Sequence, residues 1–190
     1  KSIRGLHLTK EELPAVADLF LLTAKPVLYV ANVDEPSMHT GNKFSQALAE
    51  AVKDEDAQVI IMNNSIEAQI AEMDNADDQQ LFMEEYGMKE PALDRLIHSA
   101  YKLLNLQTYF TAGVQEVRAW TIHEGWKAPQ AAGVIHTDFE KGFIKAEVIS
   151  YDDFVKYESE AAAREAGRLR IEGKEYVVKD GDVMHFRFNV

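Results

Sequence analysis

The sequence predicts an α/β unit followed by an α+β unit, and three observations carry that reading. Residues 27–31 and 58–62 are short apolar runs, Val27-Leu28-Tyr29-Val30-Ala31 and Gln58-Val59-Ile60-Ile61-Met62. Buried parallel strands read as near-continuous hydrophobic runs of this kind, rather than as alternations. Between them, residues 41–53 place Phe44, Ala47, Leu48, Ala51 and Val52 on one helical face. From about Leu106 the texture changes to short strand-like runs separated by turn residues and short helices.

Taken in order, Thr9-Lys10-Glu11-Glu12 has capping-box spacing ahead of Leu13, Val16, Phe20 and Leu21. Pro14 sits near the end of the first turn, so the helix is expected to begin late. The strand at 27–31, the helix at 41–53 and the strand at 58–62 form a βαβ unit, whose crossover is expected to be right-handed. Residues 66–73 and 79–86 read as helices joined by the acidic turn Asp74-Asn75-Ala76-Asp77-Asp78. Pro91 suits the first turn of a helix carrying Leu93, Leu96, Ile97, Ala100, Tyr101 and Leu104. Residues 108–111 and 117–122 read as a hairpin, with Gly113 in its connection. A short helix at 129–134, a polar loop from His136 to Phe143 and a half-buried strand at 143–149 follow. Helices are expected at 151–157 and 158–166, the second stopped by Gly167. Strands at 169–171, 176–178 and 183–188 end the chain, with Asp180-Gly181 turning it between the last two. The boundary between the units falls near residues 104–107.

The 190 residues allow one large or two small domains with a real core. There is no Cys, which excludes disulfides and thiolate metal sites and fits a reducing cytoplasm. No apolar stretch approaches the roughly 20 residues of a membrane span, and the N-terminus resembles no signal peptide. The chain opens with Lys1 rather than Met, as a fragment or processed product does. Residues 1–90 hold 7 Lys/Arg against 17 Asp/Glu, and residues 91–190 hold 13 against 15. Binding nucleic acid by neutralising phosphates is therefore not expected of the first half. The second half has Arg118, Lys127, Lys141 and Lys145 as candidates for a local basic face, or for an ordinary solvated surface.

Catalytic signatures are missing from the residues. His7, His39, His98, His123, His136 and His185 fall into no metal-ligand spacing. There is no Gly-x-Ser-x-Gly elbow and no Gly-x-x-x-x-Gly-Lys-Ser/Thr loop to cradle a triphosphate. No catalytic or metal-ligating residue is therefore assigned. What remains is the polar end of the first strand. In open α/β sheets ligands bind beyond the carboxyl ends of the strands. Asn32 there offers a donor and an acceptor to a purine edge, with Glu35 three residues on; the alternative is a strand that simply ends in a polar turn. The loop His136-Thr137-Asp138-Phe139-Glu140-Lys141-Gly142-Phe143 reads equally as a binding surface or as a tight turn.

The run Lys127-Ala128-Pro129-Gln130-Ala131-Ala132-Gly133-Val134-Ile135-His136-Thr137-Asp138-Phe139-Glu140-Lys141-Gly142-Phe143-Ile144 follows Phe110-Thr111-Ala112-Gly113 and Glu116-Val117-Arg118-Ala119-Trp120-Thr121. Together with the ending Asp180-Gly181-Asp182-Val183-Met184-His185-Phe186-Arg187-Phe188-Asn189, these residues resemble the TGS domain of the YchF family, a branch of the Obg-like P-loop NTPases. The resemblance is long from residue 106 onward, good again at 22–35, and weaker between 36 and 90. It implies three segments. Residues 1–21 would end a helical coiled-coil insert, 22–105 would be the C-terminal part of a P-loop GTPase-like nucleotide-binding domain, and 106–190 would be a ubiquitin-like β-grasp TGS domain.

Asn32-Val33-Asp34-Glu35 stands where most GTPases carry Asn-Lys-x-Asp, and the Asn-x-x-Glu variant goes with a preference for ATP over GTP in this family. The usual Asp accepts hydrogen bonds from guanine N1 and the 2-amino group, which adenine lacks. The longer Glu cannot place its carboxylate at the same point. By resemblance Asn32 reads the purine edge, the backbone near Val33 touches the base, and Asn64 and Ser65 belong to the next base-contacting loop. That loop, Asn63-Asn64-Ser65, departs from the usual Ser-Ala-Lys.

The resemblance further implies ATP (or GTP) and Mg²⁺ as cofactors of the longer protein and the ribosome as partner, with rRNA or tRNA contact through the TGS domain. It implies a cytoplasmic monomer acting in translation or stress regulation, with no membrane contact. The P-loop, the Mg²⁺-binding switch residues and the catalytic residue of such proteins precede this segment, so the chain alone is expected not to hydrolyse ATP. The rival expectation is a non-catalytic RNA- or ribosome-binding adaptor module.

Overall fold

The structure is a computed structural model that describes every residue except Lys1, His7, Lys10, Asp56, Val114, Gln115 and Val190. Two compact units divide between Leu103 and Leu104.

In the first unit, Thr9 and Glu12 exchange hydrogen bonds, Thr9 N–H to Glu12 Oε2 at 2.9 Å and Glu12 N–H to Thr9 Oγ1 at 3.3 Å. Lys10 of that box lies outside the described residues. Helix α1, Leu13–Ala17, starts only after this turn, with Pro14 in its first turn. Strand β1, Leu28–Asn32, and strand β2, Gln58–Met62, are parallel, with Asn32 opposite Met62. Helix α2, Lys43–Val52, connects them. It opens on a capping box in which Asn42 Oδ1 accepts from the Phe44 and Ser45 N–H groups, while Ser45 Oγ accepts from Asn42 N–H.

Helices α3, Asn64–Ala71, α4, Ala76–Glu85, and α5, Ala92–Leu103, complete the unit. Asn75 caps α4 by accepting from Asp77 N–H. The expected acidic turn is therefore half helix, because carboxylates suit a helix N-terminus. Pro91 stands one residue before α5 rather than within it.

Within this chain β1 is only partly covered. Its middle residue Val30 is 42% exposed, because among the described residues this sheet has two strands only. A run that would be covered on both faces in a wider sheet is left partly in solvent.

The second unit is a five-stranded mixed sheet in the order β4-β3-β7-β5-β6. Strands β3, Leu106–Ala112, and β4, Val117–His123, form the hairpin, and its connecting residues Val114 and Gln115 lie outside the described residues. Helix α6, Ala128–Ile135, is followed by helix α7, Thr137–Lys141, and strand β5, Phe143–Ser150. Helices α8, Tyr151–Tyr157, and α9, Glu160–Glu165, precede strand β6, Arg170–Glu172. The last strand β7, Asp182–Phe188, lies in the middle of the sheet, antiparallel to β5 and parallel to β3.

Three expectations are corrected here. Residues 137–141 are helical, because His136 Nδ1 accepts the Asp138 N–H and starts a turn. Residues 176–178 form no strand. They bridge to 126–128 instead, with Ala128 N–H donating to the Tyr176 carbonyl and Val178 N–H to the Trp126 carbonyl. Asp180-Gly181 therefore closes no hairpin. Gly181, at φ +79°, docks on β3 by donating to the Thr108 carbonyl while Asp180 Oδ1 accepts from Thr108 N–H.

Below this loop Tyr176 donates its hydroxyl proton to the buried Asp182 at 2.7 Å, and Arg170 reaches both. Burial and the Asp182 carboxylate push the Tyr176 phenol up to about 12. The core of the unit centres on Tyr109, Ile122, Phe143, Val148, Met184 and Phe186, roofed by Ala128, Ala131 and Ala132 of α6. Tyr109 is wholly enclosed, its hydroxyl donating to the Ala131 carbonyl at 2.9 Å. Burial raises its pKa above the usual phenol range.

Candidate functional site

Because β1 and β2 are parallel and in register to Asn32 and Met62, both chains leave the sheet at the same edge. The crevice beyond the carboxyl ends of parallel strands is where α/β folds hold ligands. Val33 N–H continues the ladder by one step, donating to the Met62 carbonyl at 2.9 Å, and the Val33 side chain is buried.

Two asparagines then lock the exits to each other. Asn32 Oδ1 accepts from Asn64 N–H at 3.0 Å. In return Asn63 Nδ2 donates to the Val33 carbonyl at 2.8 Å, and Asn63 Oδ1 caps α3 by accepting from Ile66 N–H at 3.0 Å. Each strand end therefore sends a side-chain amide to the backbone of the other.

This geometry decides what Asn32 can do. Its oxygen takes one hydrogen bond inside the protein, and among the described residues the Nδ2 of this exposed residue has no partner. It can donate to an acceptor on a ligand, while its Oδ1, already accepting from Asn64 N–H, keeps its second lone pair. Val33 offers no free N–H. Asn64 and Ser65 are exposed in the first turn of α3, and Glu35 is exposed in the 3-10 turn Glu35–Ser37 that follows β1. Asn32, Val33 and Asn64 are thus joined by hydrogen bonds, directly or through Asn63. Ser65 lies next in the chain, and among the described residues Glu35 makes no hydrogen bond to the rest. Asn63 is the member that sequence reasoning passed over, although an Asn between a strand and a helix is an ordinary N-cap signal.

A cleft of about 290 Å³ adjoins Asn63 and is lined also by Met38, His39, Met62, Ile66 and Arg95. Its polar groups hold backbone. His39 Nε2 meets the Tyr86 carbonyl at 2.9 Å, Arg95 donates to the Ile61 carbonyl at 3.2 Å, and Glu67 accepts from the Ala92 and Leu93 N–H groups at the start of α5. Among the described residues no group of three or more His, Cys, Asp or Glu can hold a metal ion. Nor is any helix long and apolar enough to cross a membrane.

The other candidates serve the fold. Phe139 of the His136–Phe143 segment stacks on Phe188 at 3.7 Å. Arg118 lies over the Trp120 ring at 4.1 Å and beside Glu116, Lys127 pairs with Glu175, and Lys145 faces Glu147 at 3.9 Å. With carboxylates beside three of the four cations, no concentrated basic face forms from them.

Residues 106–189 match the family model YchF-GTPase_C, whose description is "Protein of unknown function (DUF933)". The whole chain is similar to proteins named "Ribosome-binding ATPase YchF". It is 55% identical over 189 residues to that of Pasteurella multocida, covering 99% of this chain and 51% of that protein. It is 52% identical over 192 residues to that of Bacillus subtilis, covering 100% and 52%. The chain thus spans about half the length of the curated relatives it matches. Among solved structures, the Schizosaccharomyces pombe YchF GTPase superposes with a TM-score of 0.79 at 37% identity, covering 95% of this chain and 48% of that one. A GTP-binding protein from Pyrococcus horikoshii shares the fold at a TM-score of 0.60 and 15% identity. The mixed α/β fold is therefore one found within GTPase structures. With identity above one half along its length and the family model on its second unit, the chain belongs to the YchF family.

Proposed function

We propose that this chain is the base-reading and C-terminal part of a cytoplasmic, ribosome-binding protein that hydrolyses ATP. The relatives' names supply the ribosome and the ATPase activity, and the site supplies the chemistry of the base. The observation that carries the reading is Asn32, an exposed residue at the strand end whose amide oxygen is engaged by Asn64 N–H while its N–H₂ has no partner among the described residues. A lone donor there suits purine N7, an acceptor that adenine and guanine share. Asn32 then selects a purine but does not separate the two. That choice falls to Glu35 and the Asn64-Ser65 turn, which favours ATP over GTP as the family's Asn-x-x-Glu variant does.

In this reading residues 1–21 return from a helical insert, 22–105 complete the nucleotide-binding domain, and 106–190 form a TGS domain of β-grasp type. The mixed sheet with its C-terminal strand in the centre supports that last assignment. The residues here fit the base but not the phosphates or Mg²⁺, whose ligands belong to another part of the protein, so the chain by itself is inactive in hydrolysis. Calorimetry on the full-length protein carrying this chain tests the reading. Asn32→Ala is expected to weaken ATP about tenfold, as the loss of one hydrogen bond to a ligand does. Unchanged ATP affinity overturns it.

A further inference from the structure

We propose that Asn63 is a positioning residue for the base, resting on the nucleotide reading of Asn32, and that it acts by holding the Val33 carbonyl. The clasp is reciprocal but its halves are unequal. Asn32 spends one end of its amide on Asn64 N–H, whereas Asn63 spends both, Nδ2 on the Val33 carbonyl at 2.8 Å and Oδ1 on Ile66 N–H at 3.0 Å. The Val33 carbonyl lies one residue beyond Asn32, so holding it limits how far the backbone that carries the Asn32 amide can turn. Val33 N–H is held by Met62 on the other side. The peptides on either side of Val33 are thus gripped by the second strand's exit, and the backbone at the end of the first strand cannot turn without breaking one of these bonds. Such locking of a binding group by its neighbours is what gives a site its preorganised geometry. Asn63 touches no ligand in this scheme.

The two ends of Asn63 can be separated by substitution. Asn63→Asp keeps an oxygen for Ile66 N–H, since Asp caps helices as well as Asn does. It has no N–H for Val33, and it sets a carboxylate oxygen against a carbonyl oxygen. Asn63→Ser likewise keeps a capping oxygen but cannot reach across as a donor in the same way.

The experiment displaces a fluorescent ATP analogue from the full-length protein with ATP and with 7-deaza-ATP, which lacks the N7 acceptor. The unchanged protein is expected to prefer ATP about tenfold, the value of one hydrogen bond to a ligand. Asn63→Asp is expected to reduce that ratio to about two, with thermal unfolding little altered because the cap persists. A general loss of structure would weaken both nucleotides together and leave their ratio standing. If Asn32→Ala abolishes the preference while Asn63→Asp retains it, the positioning role is overturned and the nucleotide reading survives. If the unchanged protein shows no preference, the reading of Asn32 fails and the inference falls with it. Should Asn63→Asp not fold, Asn63→Ser gives the same ratio to the same end.

Discussion

The two units are of similar length but enclose themselves very differently. Among the described residues up to Leu103 the buried apolar side chains are Val33, Val52, Ile60, Met62, Ile66, Ile70 and Ala92, whereas among those from Leu104 onward there are twice as many, with the wholly enclosed Tyr109 among them. In the first unit Val30, Phe44, Leu81, Leu93 and Ile97 remain exposed, Phe44 at 71%. The reason lies in the sheets. A pair of parallel strands offers too narrow a surface to cover the apolar stripes of α2 and α5. Five strands with the last one in the centre offer α6 a complete floor. The second unit is therefore built as a self-sufficient core. The first, within a chain about half the length of its relatives, leaves apolar faces uncovered, and its two strand ends are held in register by backbone and asparagine hydrogen bonds.

Matched truncations give the largest test of that contrast. Tyr109→Ala removes a buried ring and leaves the Ala131 carbonyl without its donor, with an expected cost of about 3–5 kcal/mol. Phe44→Ala, an aromatic truncation in the first unit, is expected to stay within about 0.5 kcal/mol, since the ring is in solvent and Ala is the better helix former. Chemical denaturation of the two variants decides it, and equal losses would break the comparison.

A glycine pair probes packing more finely. A Cβ on Gly142 would stand 2.0 Å from the Asn189 carbonyl oxygen, where the start of β5 meets the end of β7. Gly5 in the first unit would meet only Ser2 Oγ, at 3.4 Å. Gly142→Ala is expected to cost about 1–3 kcal/mol by forcing backbone apart. Gly5→Ala is expected to leave the melting temperature almost unchanged.

The smallest effect is electrostatic. Burial disfavours charge on Glu147, but the hydrogen bond and charge of Arg187, with Arg164 and Lys145 nearby, outweigh it and hold the carboxyl below its ordinary value of 4.5. A depressed folded-state pKa stabilises fully above 4.5 and loses that contribution as pH falls through the lower folded value. Glu147→Gln is expected to lower stability at neutral pH by about 1 kcal/mol or less, the cations being partly solvated. The deficit should vanish in strong acid, as thermal melts across pH 2–7 would record.

Much of the local structure was legible in the residues. The apolar stripe of α2, the run that became β2 and the hairpin-forming runs of β3 and β4 are short-range signals, and they stand where their periods put them. The errors share one cause. Val30 looked buried because an apolar run does not state how wide its sheet is. Residues 176–178 looked like a strand because a β-rich composition does not say whether a neighbouring strand is available.

The sequence by itself determined most of the helices and strands, the break near residue 104 and the presence of a polar strand end at Asn32. Those depend on side-chain periodicity and on caps a few residues apart. Only the tertiary structure decided that β7 enters the sheet between β3 and β5, that Asn32 Oδ1 accepts from Asn64 N–H, and that Asn63 grips Val33. Each of these is a hydrogen-bond pairing between residues about thirty or more positions apart. Which partner a polar group finds at that distance is set by the packing of the whole unit, not by its neighbours in the chain.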